Sequence, residues 1–448
     1  MSTAVPGPSD QLRITVVGCG YLGAVHAACM ATLGHVVVGI DTDPRKIELL
    51  AEGKPPFFEP ELLELLQRAL ATGNLRFSSD IAEAAGNQVH FVCVGTPQKR
   101  GENAADLTFV DAAVGALLPH LASGDVVVGK STVPVGTASR LADLVADSEP
   151  GATLAWNPEV RREGHAVEDT LRPDRLVYGV ADGPSGEHAT RVLNRVYREA
   201  LSHDTPLIKT DYATAELVKV AANSFLATKI SFINAMAELC EATGADVTEL
   251  ADAIGHDARI GRRFLNAGLG FGGGCLPKDI RAFMARAGEL GVDQALTFLR
   301  EVDSINLRRR VRMVDMAREV CGGSIVGRRI GILGAAFKPN SDDVRDSPAL
   351  SVAAQMSLQG ASVVVTDPKA IANAAAKWPD LHFVEDVEAA VKGAELVVLL
   401  TEWPEYVAID PASLTDLVRE RRIIDGRNAL DPIRWRDAGW TYRALGRR

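Results

Sequence analysis

Two stretches in which short β-rich segments alternate with helical ones, separated by a long proline-free run, predict an α/β chain of two doubly wound Rossmann-like domains joined by a long central helix. Three observations carry that reading. A strand, glycine turn and helix open the chain at 13–33; the run 211–243 is rich in Ala, Leu, Ile, Lys and Glu; and strand-like segments restart at Arg329. With 448 residues and 47% hydrophobic content, the chain can bury two or three cores. The expected divisions are 1–208, 209–304 and 305–448.

The first β-rich run, 13–17, leads into Gly18-Cys19-Gly20-Tyr21-Leu22-Gly23 and a helix of small and apolar residues through Leu33. Gly18 permits the tight turn, Gly20 lets a pyrophosphate approach the backbone, and Gly23 lets helix and strand pack closely, with the helix N-terminus facing the negative charge. The next strand, 35–40, ends in Asp41. A carboxylate there accepts hydrogen bonds from both ribose hydroxyls and repels a 2′-phosphate, which predicts NAD rather than NADP. A plain tight turn is the alternative. Strands at 89–94 and 125–130 end in Gly95-Thr96-Pro97 and Ser131-Thr132-Val133-Pro134. These turns line the same crevice, unless Thr96 and Thr132 only shape them. The strand 153–155 runs into Trp156-Asn157-Pro158-Glu159 and Arg162-Glu163-Gly164. Its two carboxylates are either a solvated pair or candidates for acid/base work.

The run 211–243 reads as one helix about 48 Å long. Lys219 and Asn223 lie one turn apart on it. Val218, Val220, Ala221, Ala222, Phe225 and Leu226 make it apolar nearly all round, which predicts a partly buried lysine able to act in catalysis; two ordinary surface residues are the alternative. Such a helix can connect two domains and supply a dimer interface. Further on, Cys275 ends a run holding Gly268, Gly270, Gly272, Gly273 and Gly274, and Leu276-Pro277-Lys278-Asp279 follows. The glycines leave few side chains to shield the sulfur. Pro277 suits the first position of a helix continuing through 280–290, so Cys275 stands just before a helix N-terminus. There the dipole and nearby Lys278 favour thiolate, the nucleophilic form. The alternative is a small buried hydrophobe in a turn.

Arg308, Arg309, Arg310 and Arg312 read as a solvated helix face. Strands at 329–333, 362–366, 396–400 and 422–424 then alternate with helices as in a second doubly wound domain. Here Gly331 and Gly334 are followed by Ala335, Ala336, Phe337 and Lys338, so the full glycine fingerprint is missing and this half should bind a different phosphorylated ligand or none. Lys338, Arg345 and Arg427, at turns after strands, either pair with phosphates or are scattered surface cations. The ends, 1–10 and 446–448, read as loose.

Composition excludes other classes. The net charge of -10 argues against a general nucleic-acid or anionic-membrane surface, and no apolar run approaches the ~18 residues of a spanning helix. Six scattered cysteines without a close pair or metal-finger spacing predict no metal and suit a reducing cytosol. No secretory pattern opens the chain, so a cytoplasmic location is expected.

Together, Cys93-Val94-Gly95-Thr96-Pro97, KSTVPVGT at 130–137, Asn157-Pro158-Glu159, Pro173-Asp174-Arg175, the run 216–234 and the cysteine segment resemble the UDP-glucose dehydrogenase family, within the wider group of nucleotide-sugar 6-dehydrogenases. The resemblance covers about 13–431. It implies two NAD-type domains on a long central helix, a homodimer or larger homo-oligomer, and oxidation of the sugar C6 alcohol of UDP-glucose to a carboxylate with two NAD. The relatives that oxidise GDP-mannose or UDP-N-acetylhexosamines share the same chemistry, and a silent nucleotide-sugar binder would share the fold. By resemblance, Cys275 is the covalent nucleophile, Lys219 and Asp279 handle protons and steady the oxyanion, Glu159 is the base for thioester hydrolysis, and Thr132 and Asn223 position water. Cofactor contacts carry over to Leu22, Asp41, Lys46, Thr96, Thr132, Glu163, Lys278 and Arg345. Substrate contacts carry over to Glu159, Val160, Arg161, Arg162, Glu163, Lys219, Asn223, Phe264, Leu265, Asn266, Ala267, Gly268, Gly272 and Lys338, with Arg427 a phosphate candidate and Arg259 placed to reach a neighbouring subunit's sugar site. Two departures stand out: Gly274-Cys275-Leu276 where many members have Ser-Cys-Phe, and Val160-Arg161 where they have Phe-Leu.

Overall fold

A computed structural model describes residues 11–158 and 161–447. The chain packs as two compact units, one of residues up to Ala222 with Arg281–Glu289, the other of Asn223–Ile280 with Leu290–Arg448.

The first unit holds an eight-stranded sheet: β1 (Arg13–Val17), β2 (Val36–Ile40), β3 (Leu75–Ser78), β4 (Val89–Val92), β5 (Val126–Gly129), β6 (Thr153–Trp156), β7 (Leu176–Val180) and β8 (Leu207–Thr210). Their order is β3-β2-β1-β4-β5-β6-β7-β8. The strand order reverses between β1 and β4, which opens the crevice where doubly wound sheets bind ligands. Helices cover both faces, so the central strands are buried on both sides and read as unbroken apolar runs such as VVVG in β5. Ile14, Val16, Phe91 and Val128 pack on one face with the fingerprint helix Tyr21–Thr32, and Val17, Val38 and Val127 pack on the other. Each such side chain contributes roughly 1.5–3 kcal/mol through burial. β7 pairs antiparallel with β6 and parallel with β8, so the sheet's far edge runs against the rest.

The second unit holds a six-stranded parallel sheet: β9 (Arg329–Leu333), β10 (Ser362–Thr366), β11 (His382–Phe383), β12 (Leu396–Leu399), β13 (Arg422–Asp425) and β14 (Thr441–Ala444), in the order β11-β10-β9-β12-β13-β14. The predicted central helix is present as Tyr212–Thr243, followed by the cysteine helix Leu276–Glu289 and the helix Thr297–Val320. The predicted class, two doubly wound sheets with a long central helix between them in the chain, is borne out.

Two local expectations are corrected. Only Arg308 and, in part, Arg312 of the arginine cluster meet solvent; Arg309 is 0% exposed and Arg310 is buried. Buried charges need partners. Arg309 sits between Glu238 and Glu241 at 3.7 and 3.5 Å, Arg310 holds Asp346 at 2.8 Å, and Arg312 bridges Glu241 and Glu319 at 2.7 and 2.6 Å. Nor are Gly446 and Arg447 loose. Gly446 (φ +77°) donates to Glu241 Oε1 at 3.0 Å and accepts from the Val247 amide at 3.0 Å, and Arg447 reaches Asp246 at 2.9 Å. A Cβ at Gly446 would lie 2.6 Å from that of Ala237, so only glycine fits this close approach.

Candidate active site

The glycine turn after β1 has the geometry a dinucleotide needs. Gly18 adopts φ +90° and its amide donates to Ile40 O at 2.7 Å, which sets the turn. Around Gly20 an added Cβ would meet nothing within 4 Å, so the backbone is open to an approaching phosphate. At Gly23 it would collide with the Gly18 carbonyl oxygen, which records how tightly helix and strand pack. No side chain caps the start of the fingerprint helix, leaving its first-turn amides for an anion. Asp41, at the end of β2, accepts from the Cys19 amide and from Lys46 Nζ, both at 2.8 Å. Asp41 and Lys46, both predicted, are thus held together beside the fingerprint. These residues fit an NAD whose ribose meets the carboxylate and whose pyrophosphate meets the helix.

The neighbouring turns are tied together. Thr96 Oγ1 donates to Thr132 O at 2.8 Å, and Ser131 Oγ donates to Val94 O at 2.7 Å. Beyond Thr132, buried Glu216 of the central helix accepts from the Gly136 and Ala138 amides at 2.8 and 2.7 Å. Burial pushes the Glu216 pKa up, and these amides oppose that shift. Arg286 donates twice to Val135 O, at 3.0 and 2.8 Å. Glu159 and Val160 lie outside the described residues. Arg161 donates to Leu22 O at 2.9 Å and Thr170 Oγ1 at 2.6 Å, while Arg162 pairs with Asp169. Half-buried Glu163 precedes Gly164, whose amide is held by buried Glu59 at 2.9 Å. Lys219 is buried, as its apolar helix face predicts.

In the second unit Cys275 is exposed while the other five cysteines are buried. Its carbonyl accepts from the Asp279 amide at 2.8 Å, the first bond of the cysteine helix, so the thiol-bearing residue caps a helix N-terminus. Leu276 takes the first helical position and Pro277 the second, one place later than expected. Asp279, 1% exposed, meets Lys278 Nζ at 2.7 Å with one oxygen and accepts from Asn223 Nδ2 at 2.7 Å with the other. Three predicted residues are thereby joined in one buried polar group. Arg345 grips Asp343 and lies against Gly274, where a Cβ would strike its guanidinium. A serine at 274 would require that guanidinium to move.

Other predicted residues are dispersed. Lys338 lies over the Phe337 ring at 5.4 Å. Arg259 is well exposed and paired with Asp257 at 2.6 Å. Phe264 adopts φ +64°, Leu265 and Ala267 are buried, and Asn266 accepts from Arg262 at 2.7 Å. Gly268 donates to Asn234 at 2.9 Å, and Gly272 abuts the Asp346 carbonyl. Arg427 donates to the carbonyls of Leu400, Gly270 and Phe337 at 2.7, 3.0 and 3.1 Å, a strut between loops rather than a cation left open to phosphate.

The turn after β9 repeats part of the first: a carboxylate at the end of the next strand accepts from a turn amide, as Asp41 accepts from Cys19. Asp367 Oδ2 accepts from the Ala335 and Ala336 amides at 2.7 and 3.0 Å and from Trp403 Nε1 at 3.1 Å. What differs is that this carboxylate also takes the Ala336 amide, at the position where the first turn has the open Gly20.

The open glycine cradle with its acidic residue, and the exposed cysteine at a helix start, define a nicotinamide-dependent dehydrogenase. The family's NAD binding domain matches residues 12–201, its central domain 213–308 and its UDP binding domain 331–432. The chain belongs to the UDP-glucose/GDP-mannose dehydrogenase family. It is 40% identical to a UDP-glucose 6-dehydrogenase of Rhizobium meliloti over 97% of this chain and 100% of that one. It is also 40% identical to one from Bacillus subtilis over 97% and 93%. A UDP-glucose dehydrogenase structure from Pyrobaculum islandicum superposes with a TM-score of 0.89 at 38% identity, covering all of both chains. The resemblance drawn from the motifs, and the NAD cofactor drawn from the fingerprint, are borne out.

Proposed function

We propose that the protein oxidises UDP-glucose to UDP-glucuronate through a thioester on Cys275. The carrying observation is the exposed thiol at the start of the cysteine helix, beside an Asp279 fixed by Asn223 and Lys278. NAD, when bound, accepts a hydride in each of the two oxidations. Lys219, buried on the central helix, steadies the C6 oxygen as it becomes negative. The Cys275 thiolate adds to the aldehyde carbon, forming a C–S bond and a thiohemiacetal, and loss of the second hydride from C6 leaves the thioester. Water, activated by Glu159 and positioned by Thr132 and Asn223, attacks it; the C–S bond breaks, the acid leaves and the thiolate returns. The balance is one alcohol, one water and two NAD consumed for one carboxylate, two NADH and three protons. Asn223 retains a second amide hydrogen and its oxygen for this work, since one N–H goes to Asp279.

Steady-state assay should give two NADH per UDP-glucose. Turnover confined to GDP-mannose or a UDP-N-acetylhexosamine would select that branch of the family, and no turnover with any of them would mark a silent binder.

The active assembly is a homodimer in the cytoplasm. Phe225, Phe232 and Leu239 recur at two-turn intervals on one face of the central helix and are 67%, 49% and 58% exposed, an apolar stripe suited to a second copy of the same helix. Light scattering should report twice the 47.7 kDa chain mass, and Phe232→Arg should shift it to the single-chain value. A single-chain mass for the unaltered protein would remove the dimer. The scatter of the six cysteines, without a close pair, suits a reducing compartment.

A further inference from the structure

The path to Cys275 is glycine-rich, and glycine has the most backbone freedom to lose on ordering. Gly268, Gly270, Gly272, Gly273 and Gly274 cannot by themselves hold a thiol in a reactive position. The structure shows what holds it. Asn428 donates to Ala267 O at 3.0 Å, Asn234 accepts from the Gly268 amide at 2.9 Å, and Arg309 Nε donates to Gly268 O at 3.3 Å. Arg427 then takes Gly270 O. Asn306 binds both polar groups of one residue: Oδ1 accepts from the Phe271 amide at 2.7 Å and Nδ2 donates to Phe271 O at 3.0 Å, and nearer the cysteine the Gly273 amide donates to Arg345 O at 2.9 Å. Asn306 is 0% exposed, and a Cβ on Gly270 would collide with its Oδ1, so the glycine is needed for the clasp to close.

We infer that Asn306 is a positioning residue for the cysteine: its two-point clasp on Phe271 fixes the glycine segment and thereby the approach of the Cys275 sulfur to its substrate. Only an amide completes the clasp. A carboxylate of the same shape accepts from the Phe271 N–H but sets oxygen against oxygen at the carbonyl, and a serine is too short to reach both groups. The effect on turnover rests on the thioester reading above; the effect on the thiol itself does not.

The test compares Asn306→Asp and Asn306→Ser with Ile330→Val, a core change in the second sheet that lowers stability without touching the loop. Three quantities are read: NADH production from UDP-glucose, NAD affinity, and the rate at which iodoacetamide alkylates Cys275, followed by peptide mass. Both Asn306 variants should lower kcat by about 10²-fold, shift the alkylation rate severalfold and leave NAD affinity within about twofold, because misplacing a reacting group by about 1 Å has that scale of effect. Ile330→Val should do none of these. If Cys275→Ser retained full oxidation while the Asn306 variants still changed alkylation, the covalent chemistry would fall and the positioning role would stand. Wild-type kcat and alkylation in a folded Asn306 variant overturn it. Hydrogen exchange on the unaltered protein needs no variant to fold: the Phe271 amide should exchange at least about 10³-fold slower than a free amide. Exchange at the free rate would also overturn the inference.

Discussion

Cys275→Ser is expected to cut steady-state release of the sugar acid by about 10³-fold or more, the scale seen when a covalent nucleophile is removed. A serine hydroxyl stays protonated where a thiol at a helix start is readily ionised, so the aldehyde carbon finds no anion to add to it. The 14-residue cysteine helix gives a full N-terminal dipole at Cys275. No other thiol can substitute, since the remaining five cysteines are buried. The first oxidation needs no sulfur, so the variant should stop after one NADH and release an aldehyde. That species is captured with a hydrazine probe and identified by mass. Four-electron oxidation at the wild-type rate would sink the thioester mechanism and leave Cys275 a loop residue.

The strands legible from the residues are mostly buried along their length: β1, β2, β5, β9, β10 and β12 are rich in Val, Ile and Leu, and β4 (VHFV), β6 (TLAW) and β13 (RIID) carry shorter apolar cores. Edge strands escape that reading. β3 (LRFS), β8 (LIKT) and β14 (TYRA) are four residues each with polar residues interleaved, and β8 is mostly exposed, so their pairing depends on the sheet already being there. The reversed direction of β7 is set by the connection before it rather than by its own residues. The site divides in the same way. The groups proposed to face a ligand stand in local motifs, a glycine turn or a cysteine at a helix start, and such motifs are visible in the residues themselves. Groups that hold the backbone are single polar letters inside helices: Glu216, Asn234, Asn306 and Arg309 have partners far along the chain. One signal did exist for the arginines. Glu238 and Glu241 repeat at three residues, as do Arg309 and Arg312, a matched charge spacing on two helices that favours a buried network over two solvated faces.

Gly23→Ala should both destabilise the first unit and lower NAD affinity, and its contrast with Gly20→Ala separates the two functions of the fingerprint. The added methyl at Gly23 would land on the Gly18 carbonyl oxygen, a backbone atom with no rotamer by which to retreat. Gly18 is itself fixed, by φ +90° and by its amide bond to Ile40 O at 2.7 Å, so the helix must move away from β1. Overpacking of this kind costs about 1–3 kcal/mol. The same displacement carries the first-turn amides away from the pyrophosphate, and NAD affinity should fall about 10²-fold. Gly20 presents the opposite case. Its added methyl meets no protein atom within 4 Å, so Gly20→Ala should melt at nearly the wild-type temperature. The methyl instead occupies the space through which the phosphates approach, and the loss appears in NAD affinity alone. Thermal denaturation without cofactor, paired with NAD titration by fluorescence, reads both quantities on both variants. Wild-type NAD affinity in a folded Gly20→Ala would show that the open side of this turn does not face the dinucleotide, and wild-type stability in Gly23→Ala would remove the packing role of Gly23.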